Sequence, residues 1–317
     1  MKILITDCIT LQNNNDVSLE IFKSFGDTVE YGNISREELL LEVKDTDIIL
    51  CNKTVIDRQV IETAENLKYI GLFATGYNNI DITAAKERGI PVCNAGSYST
   101  NAVAQQVIAY ILMHYTKTDE YNSFVHSGGW LSHHVFSALI FTGDEVYGKT
   151  LGIIGYGSIG KAVKRAAEGL GMKVIVNTRT VRPDGETEFV DRDTLLARSD
   201  IISVHCPLND ESRDMMNKEA FAKCKDGAFF INTSRGGVVD EQALADALDS
   251  GKLSGAAVDV LKQEPMSEDC PLYKAKNIII TPHTAWAPLT TRQRLIGIVA
   301  DNIKAFLNGK PQNNVAI

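Results

Sequence analysis

Short apolar runs alternate with helical patterns along the first hundred residues of the chain. Runs such as KILITD, DIILC and KYIGLF are typical of strands. Segments with apolar residues at helical spacing follow such strands near 18–26, 35–44, 57–65 and 81–88. This alternation predicts a parallel sheet with helices on both faces, and we expect a small α/β domain over residues 1–99.

A long helical pattern, SYSTNAVAQQVIAYILMHY, begins near residue 100 and opens with Ser/Thr capping candidates. The alternation then resumes at 148 with continuous apolar runs such as AFFIN and NIIIT, which are typical of buried parallel strands. We therefore predict a second, doubly wound domain over residues 100–285. A last helix near 289–308 is expected to return the chain to the first domain, which then consists of residues 1–99 and 286–317.

The segment 120–147 separates the two regions of alternation. It contains glycines, paired histidines and few periodic apolar positions, so we expect a surface excursion rather than core. Its Trp130 and Phe136 favour a contact with a second subunit. The sequence thus predicts a dimerisation arm and a homodimer.

Composition and charge narrow the class of partner. The 317 residues include 32 basic and 40 acidic side chains, for a formal net charge of −8. This balance disfavours a nucleic-acid or membrane-surface partner and favours a small molecule. The six cysteines lack metal-site spacing, and neither a leader-like N-terminus nor a membrane-length apolar run is present, so we expect a cytoplasmic protein without a bound metal.

The segment GIIGYGSIGKAV places Gly155, Gly157 and Gly160 in GxGxxG order, directly after an apolar run and at the start of a helical pattern. In that context the glycines allow a tight turn, a close approach of a pyrophosphate and close helix–strand packing. The helix N-terminus faces the phosphates. A glycine turn without a ligand is the less favoured alternative, and we predict a dinucleotide site that also includes Ser158 and Ile159.

The next strand ends in VIVNTRT, so Thr178 stands where an acidic residue commonly binds the ribose hydroxyls. No acid is present to repel a 2′-phosphate, and Arg179 is available to bind one. NADP is therefore slightly favoured over NAD. The alternative is that Arg179 and Arg182 are solvated and that NAD binds with a looser ribose contact.

Three later segments each end a predicted strand: NTSRGGVVDE with Arg235, AVDVLKQEP with Asp259 and Glu264, and TPHTAW with His283. Ligands of an open α/β sheet bind beyond the carboxyl ends of the strands, so we expect these segments around one crevice with the glycine turn. Taken singly, each residue also has a purely structural explanation. Arg235 is then a charged residue at the start of a helix, Glu264 an acidic residue in a loop, and His283 a capping residue at the end of a strand.

Together these residues suit hydride transfer between a nicotinamide and a 2-oxo or 2-hydroxy acid. His283 is the candidate acid/base, because imidazole exchanges protons near neutral pH, and Glu264 is expected to stabilise the imidazolium. Arg235 is expected to bind the substrate carboxylate in bidentate geometry and to polarise the carbonyl. Asp259 is a candidate acceptor for the nicotinamide amide.

Other segments at strand ends supply further candidates. The runs SVHCPL and NTS contribute possible cofactor contacts, namely His205, Cys206, Pro207, Thr233 and Ser234. We expect Cys206 to be a small wall residue rather than a nucleophile, because hydride transfer needs no covalent intermediate. In the first domain, Lys53 of CNKTVID is a candidate substrate contact, and an ordinary exposed lysine is the alternative.

The chain resembles the D-isomer-specific 2-hydroxyacid dehydrogenase family over essentially its whole length, through GKTLGIIGYGSIG, VHCPL, INTSRGGVVDE, AVDVLKQEP and TPHTAW in that family's order. The resemblance implies a Rossmann domain and a smaller flavodoxin-like substrate domain formed by both ends of the chain. It also implies that Arg235, Glu264 and His283 are catalytic. Backbone amides around Thr75 and Gly76, in ATGYNNID, are implied to bind the substrate carboxylate.

Within the family, ATGYNNID combined with Trp286 after the histidine is similar to glycerate dehydrogenases and hydroxypyruvate reductases. We therefore expect hydroxypyruvate or glyoxylate as substrate, with Trp286 in the substrate site. A D-lactate or other D-2-hydroxyacid dehydrogenase is the alternative. A dinucleotide-sensing protein, like the corepressors that share this fold, is a third hypothesis, and the compact chain favours an enzyme.

Overall fold

The computed structural model describes residues 1–316 of the chain. It divides into two compact units, which we call unit 1 (Met1–Ser99 with Ala287–Ile317) and unit 2 (Thr100–Trp286). Each unit is built on one parallel sheet.

In its described residues, unit 1 contains five parallel strands and four α-helices. The strands are β1 (Lys2–Ile5), β2 (Asp27–Glu30), β3 (Ile48–Cys51), β4 (Tyr69–Leu72) and β5 (Val92–Cys93), and their order in the sheet is β2-β1-β3-β4-β5. The helices are α1 (Arg36–Glu42), α2 (Arg58–Thr63), α3 (Ile82–Glu87) and, from the second stretch of chain, α10 (Leu289–Leu307). Strands β3 and β4 are buried along their whole length, as their apolar sequence predicts.

The helix predicted at 18–26 is wrong in type. The structure has a 3-10 helix over Glu20–Ser24, and only Phe22 of these five residues is buried. One buried side chain gives an α-helix little apolar area to bury against the sheet, and most helical stability in proteins comes from such burial.

The C-terminal segment lies along the outer edge of the unit 1 sheet. Asn314 forms an antiparallel bridge with Cys93, and its side-chain oxygen accepts from the Val92 amide at 3.1 Å. The Val315 amide donates back to the Val92 carbonyl at 2.8 Å. Residues from the second stretch of unit 1 thus cover β5.

Unit 2 contains seven parallel strands in the order β12-β11-β10-β9-β6-β7-β8. They are β6 (Thr150–Ile154), β7 (Lys173–Asn177), β8 (Glu188–Phe189), β9 (Ile201–Val204), β10 (Ala228–Asn232), β11 (Leu253–Val258) and β12 (Ile278–Ile280). Its helices are α4 (Thr100–Thr116), α5 (Thr118–His126), α6 (Ser158–Gly169), α7 (Arg192–Arg198), α8 (Lys218–Lys223) and α9 (Glu241–Asp249).

The two faces of this sheet carry separate cores. On one face α4 and α6 supply Val107, Ile111 and Val163, which belong to one cluster with Ile153 and Phe229. On the other face, α7, α8 and α9 cover the sheet through a second cluster that includes Leu195, Phe221, Leu244 and Phe230. Layers on both faces confirm the predicted fold class of doubly wound parallel sheets.

Strand register aligns the carboxyl ends of the central strands of unit 2. In sheet order from β12 to β6, Ile280, Val258, Asn232, Val204 and Ile154 are consecutive partners. The five loops that follow them therefore start side by side at one edge. The glycine turn and the segments that carry the predicted chemistry are these loops.

The segment 120–147 begins inside α5, a short helix that the sequence pattern does not predict. Residues 127–149 form no helix or strand, and Leu131, Phe136 and Leu139 are almost fully exposed. In the described part of the chain, no helix is both long and apolar enough to cross a membrane.

Candidate active site

The turn after β6 requires glycine at two of its three motif positions. Gly155 has a φ of +97°, and a Cβ on it would lie 2.7 Å from the Cys206 amide nitrogen. A Cβ on Gly160 would overlap the Gly155 carbonyl oxygen. At Gly157, by contrast, a Cβ would meet no atom within 4 Å, so the turn leaves open space in front of α6.

Helix α6 also begins without a side-chain cap. Its N-cap is Gly157, whereas α7, α8 and α9 begin at Asp191, Asn217 and Asp240, whose side chains accept amide hydrogen bonds. The first amides of α6 are therefore open to an external acceptor, and the partial positive charge of the helix start favours an anion there.

Two buried polar atoms lie in the loops after β9 and β10. His205 Nδ1 and Thr233 Oγ1 have no hydrogen-bond partner among residues 1–316. The other ring nitrogen of His205 lies 2.9 Å from Ser203 Oγ, and burial lowers the pKa of His205 to about 4, so the ring is neutral at pH 7. Unpaired buried polar atoms beside an uncapped helix start fit a dinucleotide cofactor.

Thr178 directly follows β7, where the ribose acid is expected. The adjacent Arg179 has a side chain that is 77% exposed, and its guanidinium lies 3.5 Å from Glu211 Oε2. An exposed ion pair at this distance holds the guanidinium only weakly. Arg179 is therefore able to turn towards an anionic group near Thr178.

His283 and Glu264 form a close side-chain pair at this edge. His283 Nδ1 lies 2.6 Å from Glu264 Oε2, and both side chains are partly exposed. A carboxylate can only accept, so Nδ1 carries the hydrogen and Nε2 faces away from the pair. His283 has a left-handed backbone, with φ of +55°, and its amide donates to the Asp259 carbonyl at 2.9 Å.

Asp259 holds the His283 loop through its side chain. The residue is 2% exposed, and its carboxylate accepts from Thr281 Oγ1 at 2.5 Å and from the amides of Thr284 and Ala285 at 2.8 and 2.9 Å. Burial raises the pKa of Asp259, and these hydrogen bonds oppose the rise. Asp259 thus supports the loop, and its predicted contact with the nicotinamide amide stays a prediction.

The loops of Arg235 and Glu264 are in backbone contact. A Cβ on Gly236 would overlap the Leu261 carbonyl carbon, so only glycine allows this approach. The Leu261 amide in turn donates to Glu264 Oε1 at 2.9 Å. Unit 2 therefore brings two of the three predicted catalytic segments into direct contact.

Buried Asn232 shapes the Arg235 turn. Its side-chain oxygen accepts from the amide and hydroxyl of Ser234, at 3.0 and 2.8 Å, and its amide group donates to the Arg235 carbonyl at 3.0 Å. The sequence reasoning missed Asn232, although a polar residue at the end of the apolar run AFFIN is a detectable signal.

The remaining candidates differ in place and exposure. Lys53, Thr75 and Gly76 belong to unit 1, where Lys53 and Thr75 are exposed, while Trp286 is the last residue of unit 2. The amides of Thr75 and Gly76 have no acceptor within residues 1–316. Other predicted cofactor contacts, Ser158, Ile159, Cys206, Pro207 and Ser234, lie in the aligned loops of unit 2 or at the start of α6.

Comparison with known proteins identifies the family. The family described as D-isomer specific 2-hydroxyacid dehydrogenase, NAD binding domain, matches residues 108–285. The chain belongs to the D-isomer specific 2-hydroxyacid dehydrogenases. It is 42% identical to a hydroxypyruvate reductase of Blautia hydrogenotrophica, over 99% of both chains. The expected family and enzyme class are confirmed.

Two solved structures share the fold of this chain. The TT0316 protein of Thermus thermophilus has a TM-score of 0.90 and 32% identity, covering 99% of this chain and all of that one. An NADPH-dependent glyoxylate/hydroxypyruvate reductase of Sinorhizobium meliloti, in complex with NADP and malonate, has a TM-score of 0.86 and 26% identity, covering 99% and 96%. The dehydrogenase fold therefore extends over the whole described chain.

Proposed function

We propose that this dehydrogenase reduces a small 2-oxo acid, hydroxypyruvate or glyoxylate, to the D-2-hydroxy acid with a nicotinamide cofactor. The observation that carries the proposal is the 2.6 Å pair of His283 and Glu264, at the sheet edge where α6 begins uncapped. Such a pair supplies a proton donor, and the edge supplies a place for the cofactor.

His283 performs the proton step. In the reduction direction, a bound nicotinamide would supply hydride to the carbonyl carbon, and Nε2 of the His283 imidazolium donates the proton to the carbonyl oxygen. Glu264 accepts from Nδ1, which fixes the tautomer and stabilises the charged ring until the proton leaves. In the reverse direction neutral His283 accepts the proton at the same atom.

Arg235 and the amides of Thr75 and Gly76 bind the substrate carboxylate. A guanidinium gives two parallel charge-assisted hydrogen bonds, and amides without a protein acceptor add further donors. Lys53 supplies a second positive charge from unit 1. Trp286 follows His283 in the same segment and restricts the size of the group on the far side of the carbonyl.

The cofactor site consists of the glycine turn, the start of α6 and the loops with His205 and Thr233. A nicotinamide dinucleotide bound there supplies hydride transfer. We favour NADP slightly, because Thr178 leaves the ribose position without an acid and exposed Arg179 lies beside it. The NADP complex of the Sinorhizobium meliloti reductase is consistent with this choice.

We further propose a cytoplasmic homodimer that forms through the arm at 120–147. Its exposed apolar side chains, Leu131, Phe136 and Leu139 among them, match the apolar core of a subunit interface better than a solvated surface. The six free cysteines favour a reducing compartment.

A steady-state assay tests the catalytic proposal. Purified protein is mixed with NADH or NADPH and with hydroxypyruvate, glyoxylate or pyruvate, and cofactor oxidation is followed by its absorbance. We expect the highest kcat/KM with hydroxypyruvate or glyoxylate. A preference for pyruvate would instead identify a D-lactate dehydrogenase, and cofactor binding without oxidation by any 2-oxo acid would favour the sensing protein.

A further inference from the structure

Asp7 is a buried carboxylate at the carboxyl edge of the unit 1 sheet. It follows β1 and is 1% exposed. Its two oxygens accept from three successive backbone amides after β3: Asn52 at 2.9 and 3.1 Å, Lys53 at 2.5 Å and Thr54 at 2.9 Å. The chemistry described above assigns no role to this residue.

Three consecutive amides that converge on one carboxylate fix the backbone of residues 52–54. A buried carboxyl group without these hydrogen bonds is costly, so the loop conformation and the burial of Asp7 support each other. Asn79 holds the loop from the other side, because its side-chain amide donates to the Thr54 carbonyl at 2.8 Å. Asn52 also donates to Thr10 Oγ1 at 2.9 Å.

The hydrogen bonds to Asp7 determine which groups of residues 52–54 are available to bind a ligand. With all three amides engaged by Asp7, the exposed Lys53 side chain is the cationic group that the loop presents. The loop that follows β4 is the opposite case, since the amides of Thr75 and Gly76 have no acceptor among the described residues. Strand register pairs Cys51 with Leu72, so both loops start at the same edge of the sheet.

We propose that Asp7 is a positioning residue that orients Lys53 towards an oxygen of the 2-oxo acid. The inference rests on the proposed function, in which Lys53 binds the substrate. Asp7 itself does not touch the substrate in this proposal. It acts by accepting from the amides of residues 52–54, which fixes the backbone from which the Lys53 side chain extends.

The test compares Asp7→Asn, Lys53→Met and the double variant with the full-length wild type. Asparagine has nearly the size of aspartate, but it carries no charge and only its single side-chain carbonyl oxygen can accept from the backbone amides. We expect each single variant to raise the KM for the 2-oxo acid about tenfold while kcat changes less than about twofold, as expected for the loss of one charge-assisted contact that is made equally in the ground and transition states. The Kd for NADPH should stay unchanged.

The double variant separates positioning from general destabilisation. If Asp7 acts through Lys53, the double variant has the KM of the worse single variant, because removing the ammonium group abolishes the benefit of orienting it. Multiplied effects would overturn the proposal, and so would an unchanged KM in Asp7→Asn. Asp45→Asn, a change at an exposed carboxylate paired with Lys2, is the matched control and should leave the KM unchanged.

Two further measurements keep the inference independent of turnover. Amide hydrogen exchange of residues 52–54 should accelerate at least about tenfold in Asp7→Asn, and oxalate binding in the presence of NADPH should weaken in both single variants. If the wild type oxidises no cofactor, the proposed function fails, and the oxalate result alone decides the role of Asp7. If Asp7→Asn does not fold, Asn79→Ala loosens the same loop without burying a new group and should raise the KM with the same dependence on Lys53.

Discussion

Each unit is built on a parallel sheet, and the starts of three helices in unit 1 contrast with the start of α6 in unit 2. In unit 1, α1, α2 and α3 start at Ser35, Asp57 and Asp81, and each of these side chains accepts an amide hydrogen bond from the helix. In unit 2, α6 starts at Gly157 without such an acceptor. Because α7, α8 and α9 of unit 2 are capped as well, the open amides at the start of α6 come from its local sequence and not from the fold of the unit, and they are what favours an anion there.

The units also differ in what their buried aspartates hold. Asp7 in unit 1 fixes the loop of Lys53, a permanent cation, whereas Asp259 in unit 2 fixes the loop of His283, a group that exchanges protons. All six histidines of the sequence lie within residues 100–286. In the proposed function, the proton step therefore belongs to unit 2.

The largest expected effect is the loss of the proton donor. His283→Ala should lower kcat about 10³-fold and leave the Kd for NADPH within about twofold, because the imidazole acts in the chemical step. Steady-state kinetics and a fluorescence titration of NADPH measure both quantities. Lys53→Met is the unit 1 counterpart and should change KM rather than kcat; a parallel loss of cofactor affinity in His283→Ala would mean that the histidine is structural.

A cap placed on α6 makes its start resemble those of the capped helices in both units. Gly157→Asp fits the φ of −81° at this position, and its Cβ would meet no atom within 4 Å, so the fold should be retained. A carboxylate at the helix start both satisfies the open amides and repels the pyrophosphate, and the Kd for NADPH should rise about 100-fold.

Asp81→Ala provides the reverse experiment in unit 1. It removes a cap and should cost about 1 kcal/mol in the free energy of unfolding, with no change in cofactor affinity. Thermal unfolding and NADPH titration of both variants test the comparison. Unchanged NADPH affinity in Gly157→Asp would place the phosphates elsewhere.

Mild acid should destabilise unit 2 more than unit 1. Burial lowers the pKa of His114 and of His205 to about 4, so the unfolded chain takes up protons before the folded one as the pH falls below the ordinary histidine pKa. The lost stability amounts to about 2 to 3 kcal/mol per histidine between roughly pH 6.5 and 4. In unit 1, hydrogen bonds from Arg292 lower the pKa of Asp16 to about 2, which preserves that ion pair at pH 5.

Hydrogen exchange at pH 7 and pH 5, corrected for the intrinsic rates, measures the two units separately. Protection should fall first in unit 2. His114→Gln should reduce the difference in protection between the two units at pH 5. Glutamine stays neutral and still reaches towards Ser254, the partner of His114 at 3.1 Å. Equal losses of protection in both units would contradict the assignment of the acid sensitivity to the buried histidines of unit 2.

The smallest expected effect concerns the choice of cofactor. Arg179→Ala should raise the KM for NADPH about tenfold and that for NADH less than about twofold, since only the former carries the 2′-phosphate. Arg198→Ala, which removes an exposed arginine paired with Glu188 in the same unit, is the control. Equal changes with both cofactors would remove Arg179 from the ribose site.

Local patterns predicted most elements but not the contacts between distant segments. The apolar runs of β3, β4 and β10 identified buried strands, and the glycine spacing identified the turn before α6. The two-residue strand β8 and the helix α5 escaped detection, because a short strand has too few positions for a period and α5 buries none of its residues.

In the candidate site too, local patterns identified residues but not the contacts between distant segments. The positions of Arg235, Glu264 and His283 after predicted strands indicated that they lie near one another, because parallel strands bring their carboxyl ends to one edge. The supporting contacts were not predictable, because Asp7 meets residues 45 to 47 positions away and Gly236 meets Leu261 only after the loops have folded.

The contact of Asn314 and Val315 with β5 has a consequence for biosynthesis. Unit 2 is one continuous stretch and is complete once residue 286 has been made, whereas unit 1 waits for α10 and for the segment that covers β5. During translation the edge of β5 is an open template for pairing with another chain. A chain that ends prematurely between residues 287 and 312 would therefore leave this edge unprotected.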